Sequence, residues 1–125
     1  MAEIFCKKTL MEIMPATRAV IAEKLHEMDA SQSYISKKLG TTQPAVSQYL
    51  KGARGRIADE MIKNKRMSKF IEEVIKNMED ESYDLNSHTC EICREARENK
   101  VVDVPKGKDF LCPIELMEKK HGKQD

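Results

Sequence analysis

Apolar residues along the chain recur at helical rather than strand spacing. After Pro15, which suits a first turn because its missing amide hydrogen has no partner there anyway, Val20, Ile21 and Leu25 share one face. A first main helix is predicted over about 15–28. Asp29-Ala30-Ser31 supplies capping groups for a short second helix in which Ile35 and Leu39 stand at i and i+4, and Gly40 ends it. Thr41 and Thr42 are suitable caps for a third helix, with Pro44 in its first turn, Val46 and Leu50 inward and Gly52 at its close. The stretch Lys51-Gly-Ala-Arg-Gly-Arg56 reads as a flexible basic turn, after which Ile57, Met61 and Ile62 begin another short helix.

A longer helix follows, with Met67, Phe70, Ile71, Val74, Ile75 and Met78 forming an apolar stripe over three turns. Such a stripe needs a partner, either the rest of this chain or the same helix of a second subunit. Beyond Asp80 the pattern breaks into a polar stretch, a cysteine pair, a strand-like Val101-Val102-Asp103-Val104-Pro105 and a last short helix from Pro113. The tail from Lys119 is expected to be disordered. This divides the chain into residues 1–66, a linking or dimerisation helix at 67–80, and a cysteine-containing region at 81–125.

Charge sharpens that division. Net charge is only +1, but from Ser31 to Lys69 nine basic residues face two acidic ones, while from Ile71 to Glu98 nine acidic residues face three basic ones. A +7 stretch is followed by a −6 stretch, so the two halves serve different partners or each other. No apolar run approaches the roughly 20 residues that span a bilayer, and the N-terminus lacks the apolar core of a secretory signal. The expectation is a cytoplasmic protein without a membrane partner. In that reducing setting four cysteines point to metal binding or redox chemistry rather than to disulfides.

The segment from Gln32 to Lys51 places Ile35, Ser36, Leu39, Val46 and Leu50 where two helices crossing a tight turn must touch. Gly40 sits at the corner, where a left-handed backbone favours glycine. Ser31 to Arg56 carries five basic and no acidic residues, as neutralising phosphates requires. The alternative, a helical hairpin that is only a packing solution, does not account for that charge. This segment resembles the lambda-repressor-like, Xre-type helix-turn-helix regulators in its corner glycine, the polar cap after it and the Gln43-Pro-Ala-Val-Ser47 run, with about 50 residues covered from Pro15 through Arg66.

The resemblance implies that the second helix of the pair enters the major groove. It nominates Gln43, Ala45, Ser47 and Gln48, beside Pro44, for base edges. Gln43 suits an adenine, Ala45 a thymine methyl and Gln48 a neighbouring base. Gln32, Thr42, Lys51 and Arg54 are placed to hold phosphates.

Cys90-Glu-Ile-Cys93 is a Cys-x2-Cys pair, followed after 18 intervening residues by Cys112-Pro113, with Cys6 alone near the N-terminus. Two thiolates so spaced can grip one metal or cluster, and a third closes the loop. The fourth ligand is Cys6 if the N-terminal segment folds against the C-terminal one, or His88 locally. The asymmetric set, with proline directly after its last cysteine, favours an iron–sulfur cluster ([4Fe-4S] or [2Fe-2S]). Zinc is the alternative, and a redox-active Cys90–Cys93 pair or plain buried thiols the third reading. The whole chain also resembles a group of archaeal transcriptional regulators with a cysteine-bearing C-terminal region and an early cysteine before a first helix like Met14-Pro-Ala-Thr-Arg18, which implies Cys6 as a ligand. His26 and His121 read as surface residues.

The expected architecture is mainly α: a helix-turn-helix DNA-binding domain of about five helices with a small irregular cysteine-rich metal-binding region. The expected function is a transcriptional regulator, homodimeric because one short recognition helix reads too few bases, whose affinity for double-stranded DNA is set by the cysteine site. No phosphate-binding glycine loop, Ser/His/Asp grouping or histidine–carboxylate constellation is present, so an enzyme or small-molecule substrate is not expected. The readings of another class are an antitoxin-like interaction module, with acidic residues 71–98 meeting a protein, and an iron–sulfur electron carrier or enzyme subunit.

Overall fold

The computed structural model describes residues 3–4, 9–52, 55–102 and 110–111 of the chain. These residues are mainly helical. A π-helical turn, Thr9–Ile13, runs directly into α1 (Met14–Glu27), followed by α2 (Gln32–Leu39), α3 (Gln43–Lys51), α4 (Arg56–Lys63), α5 (Lys65–Asn77), a 3-10 turn (Leu85–His88) and α6 (Thr89–Glu98). Two short strands, β1 (Glu3–Ile4) and β2 (Phe110–Leu111), pair in parallel with Glu3 opposite Phe110 and Ile4 opposite Leu111.

The helix ends follow from a few residues. Ser31 accepts a hydrogen bond from the Tyr34 amide at the start of α2 (3.0 Å), and Asn64 from the Met67 amide at the start of α5 (2.9 Å). Three helices close on a left-handed residue, with the next amide reaching back to the last turn. At Gly40 (φ 66°) the Thr41 amide bonds Ser36 O, at Asp29 (φ 67°) the Ala30 amide bonds Leu25 O, and at Lys100 (φ 59°) the Val101 amide bonds Ala96 O. Only the first of these announces itself as a glycine.

Helix α1 is the hub: α2, α3, α4 and α5 all pack against it, and the π-helical turn before it packs against α6. Val20, Ile21 and Leu25 of α1 share one buried cluster with Ile35 and Leu39, Val46, Met61, and then Ile71, Leu85, Ile92 and Val101. Thr17 is fully buried in it, its hydroxyl donating to Ile13 O at 2.8 Å. Each large aliphatic side chain so buried contributes about 1.5–3 kcal/mol.

Of the two partners open to the α5 stripe, the rest of this chain covers most of it: Met67, Ile71, Val74 and Met78 are at most 4% exposed, with Phe70 and Ile75 half-buried beside them. Two expectations are corrected. The cysteine pair lies in a helix rather than an irregular region, because Ile92, Cys93 and Ala96 give α6 an apolar face that docks on the core. Val101 and Val102 do not begin a strand. They turn inward in a bend after Lys100 and are buried. The expected continuation at 103–105, the helix from Pro113 and the tail from Lys119 lie outside the described residues.

Candidate nucleic-acid interface

The α2–α3 pair is built as its residues dictate. Gly40 at φ 66° and ψ 37° turns the chain, and Thr42, in extended conformation, accepts a hydrogen bond from the Ala45 amide at 3.2 Å. Pro44 occupies the first turn of α3. Ile35, Leu39 and Val46 fill the space between the helices. Ser36, 8% exposed, keeps that space narrow by folding its hydroxyl onto Ser33 O at 2.9 Å.

That packing turns a polar ridge outward. Gln43, Ser47 and Lys51 stand at i, i+4 and i+8 along α3, with Pro44 and Gln48 beside them. Gln43, Pro44, Gln48 and Lys51 are exposed, Ala45 and Ser47 half-buried, and Gln32 and Thr42 exposed at the starts of the two helices. All of the nominated base-edge and phosphate residues that are described therefore lie on the same two-helix unit. Arg54 falls outside the described residues. A glutamine amide both donates and accepts, and a hydroxyl does the same, so this ridge can hydrogen-bond to bases while presenting no carboxylate to phosphates.

Three polar groups that the sequence did not single out tie this unit to the acidic half of the chain. Lys38, in the last turn of α2, donates its Nζ to Met78 O at 2.7 Å, and it also lies 5.6 Å over the Tyr34 ring. Arg18 of α1 donates Nη2 to Asn86 Oδ1 at 2.6 Å. Asn86 also stands beside the corner, its Nδ2 3.6 Å from where a β-carbon on Gly40 would lie. The 3-10 turn that carries Asn86 is fixed from both sides. Asp84 accepts from the Asn86 amide at 3.2 Å and from Ser87 Oγ at 3.1 Å, and Thr89 Oγ1 donates to Asn86 O at 2.8 Å. No periodicity or motif marks Asn86, because its partners come from elements far along the chain. Asp80 sits at the same junction, its carboxyl held below the ordinary carboxylate range by the Ser82 amide and hydroxyl and, to a lesser degree, by Lys38.

Of the four cysteines, Cys90 is exposed in the first turn of α6 and Cys93, one turn later, is buried. Cys6 and Cys112 lie outside the described residues, and among the described ones no group of three or more metal-binding side chains comes together. His88, the local alternative ligand, is stacked on Tyr83 with ring centroids 4.3 Å apart, and its Nδ1 stands 3.3 Å from Glu91 Oε1. Burial pushes the Tyr83 phenol above its ordinary value, and Glu91 adds to the effect. β1 pairs with β2, and in sequence Cys6 follows β1 by two residues and Cys112 follows β2 by one.

No helix among the described residues is long and apolar enough to cross a membrane. Comparison with protein families, with curated proteins and with solved structures finds no match to this chain.

Proposed function

We propose that the protein is a sequence-specific DNA-binding regulator, with α2 and α3 acting as a helix-turn-helix and α3 as the helix that enters the major groove. The observation that carries the reading is the outward ridge Gln43–Ser47–Lys51 with Gln48 beside it, set on a tightly cornered helix pair in a stretch of five basic and no acidic residues. In this reading Gln43, Ala45, Ser47 and Gln48 meet base edges while Gln32, Thr42, Lys51 and Arg54 hold phosphates. The protein is not an enzyme and works as a homodimer, because two half-sites about 34 Å apart supply the specificity that one short helix lacks.

The cysteines form the regulatory half of the same proposal. Cys6, Cys90, Cys93 and Cys112 fit a four-thiolate centre, supported by the β1–β2 pairing and by the contact between the π-helical turn and α6. An iron–sulfur cluster is the favoured occupant and zinc the alternative. Such a group would supply redox or metal sensitivity, and metal and sulfide analysis of anaerobically prepared protein separates the two.

Selection of bound duplexes from a random library, followed by binding titrations, tests the DNA reading. An enriched, two-fold related sequence is expected. Gln43→Ala and Gln48→Ala should each weaken binding to that sequence by about 1–3 kcal/mol and relax the preference at one position. Lys51→Ala should weaken all sequences alike and lower the salt slope by about 1. Absence of any enriched sequence in both the metal-loaded and metal-free protein would reject the proposal.

A further inference from the structure

A groove of about 540 Å3 opens where the C-terminal ends of α1 and α5 meet α2, a size within the roughly 300–1,000 Å3 of small-molecule sites. Leu25, Met28, Tyr34, Ile75 and Met78 give it an apolar lining. Leu25 and Met78 are buried and Ile75 is half-buried, whereas Met28 and Tyr34 are 65% and 43% exposed, two of the four large apolar side chains that the described residues leave in solvent. A flexible thioether and an aromatic face are side chains that can shape themselves to a guest. None of the residues assigned to base edges or phosphates lines this groove.

Its polar lining is negative. Asp29 and Glu79 stand exposed in it, and neither carboxylate has a hydrogen bond or ion pair among the described residues. Two helices, α1 capped at Met28 and α5 capped at Met78, end in this lining with their carbonyl poles, against the single amide pole of α2 at Ser31. The one cation among the described lining residues shows how a positive charge is held here. Lys38 donates Nζ to Met78 O at 2.7 Å and lies 5.6 Å over the Tyr34 ring, with Asp80 near enough for the two charges to interact. Its charge is thereby engaged within the chain, and Asp29 and Glu79 stay unopposed. We propose that the groove is a binding site for an apolar organic cation, a small molecule with a hydrophobic body and one positive charge. The body lies against Met28, Tyr34 and Ile75, and the charge faces Asp29 and Glu79. Apolar burial supplies the affinity, and the carboxylates select the sign of the charge.

Tetraphenylphosphonium and tetraphenylborate, ions of nearly the same size and shape but opposite charge, are the probes, titrated calorimetrically into the full chain at low salt without DNA. The phosphonium should bind with a dissociation constant of about 10–100 μM, at least about tenfold more tightly than the borate. Asp29→Asn combined with Glu79→Gln should weaken the phosphonium about tenfold and leave the borate no weaker. Asparagine accepts the left-handed backbone at position 29 (φ 67°), so the turn is kept. Tyr34→Ala, at an exposed side chain, should weaken the phosphonium about tenfold through the lost ring face. Amide shifts of the native chain on adding the phosphonium should centre on residues 25–38 and 75–79, which decides the matter even if a variant loses its helical circular dichroism. Phosphonium binding weaker than about 1 mM, equal affinity for the two ions, affinity unchanged in both variants, or shifts centred elsewhere would each overturn the proposal. Neither the DNA reading nor a metal centre enters these measurements, so the groove and the proposed regulator stand or fall separately.

Discussion

Residues 31–56 hold five basic and no acidic side chains, residues 71–98 nine acidic and three basic ones, and the two stretches are organised by different means. The first is a local construction. Ser31 and Thr42 cap their own helices, Gly40 turns the corner, and Ile35, Leu39 and Val46 meet within a span of twelve residues. The second is held from a distance: Arg18 reaches Asn86, Lys38 reaches Met78 O, and Asn64 Nδ2 donates to Asn99 O at 3.1 Å. The acidic stretch and the turn after it are thus docked on cations and an amide from three separate places, Arg18 of α1, Lys38 of α2 and Asn64 before α5.

Shared burial is the part of this contrast most open to attack. Ile35 and Ile92 are both fully buried, one in each stretch. Alanine at either position should cost about 2–5 kcal/mol and shift one cooperative denaturant transition. If Ile92→Ala instead produced a second, earlier transition with α1–α4 still folded, the two regions would be separate folding units.

The corners offer a smaller contrast. The new β-carbon of Gly40→Ala would make only an ordinary van der Waals contact, 3.6 Å from Asn86 Nδ2, so its cost is the left-handed backbone, about 1 kcal/mol or slightly more. Lys100 holds the same conformation without being glycine, so Lys100→Gly should stabilise the fold by up to about 1 kcal/mol. Thermal melts of the two variants moving in the same direction would contradict this account of the corners.

The smallest effect is a pH dependence. Tyr83 is raised above the ordinary tyrosine value near 10.0, so its neutral form is the one the fold favours. Its contribution to stability is complete below pH 10 and declines as pH rises through the ordinary value to the raised one. An ultraviolet titration of phenolate should show a step above the ordinary tyrosine value, and Tyr83→Phe should abolish it.

From the residues alone, the α2–α3 unit was legible to within a residue or two at each helix end, since capping, glycine conformation and helical periodicity all act over fewer than five positions. The i, i+4 and i+8 placement of Gln43, Ser47 and Lys51 along α3 follows for the same reason. The C-terminal half was not legible in this way. Its two cysteines drew notice as ligands, yet Cys93 is also a small apolar residue that helps to seat α6, and nothing local in Thr89–Glu98 says which role burial will favour.

What the sequence by itself determined is therefore helices α1 to α5, the caps and corner of the α2–α3 pair and the segregation of charge, all consequences of short-range stereochemistry and composition. Only the tertiary structure decided that the α5 stripe is spent within the chain, that Asp29 and Lys100 serve as left-handed helix ends without being glycine, and that Asn86 stands against the Gly40 corner. Each of these depends on groups brought together from distant positions, where the apolar area removed from water and the few available hydrogen bonds, rather than any local preference, choose the partner.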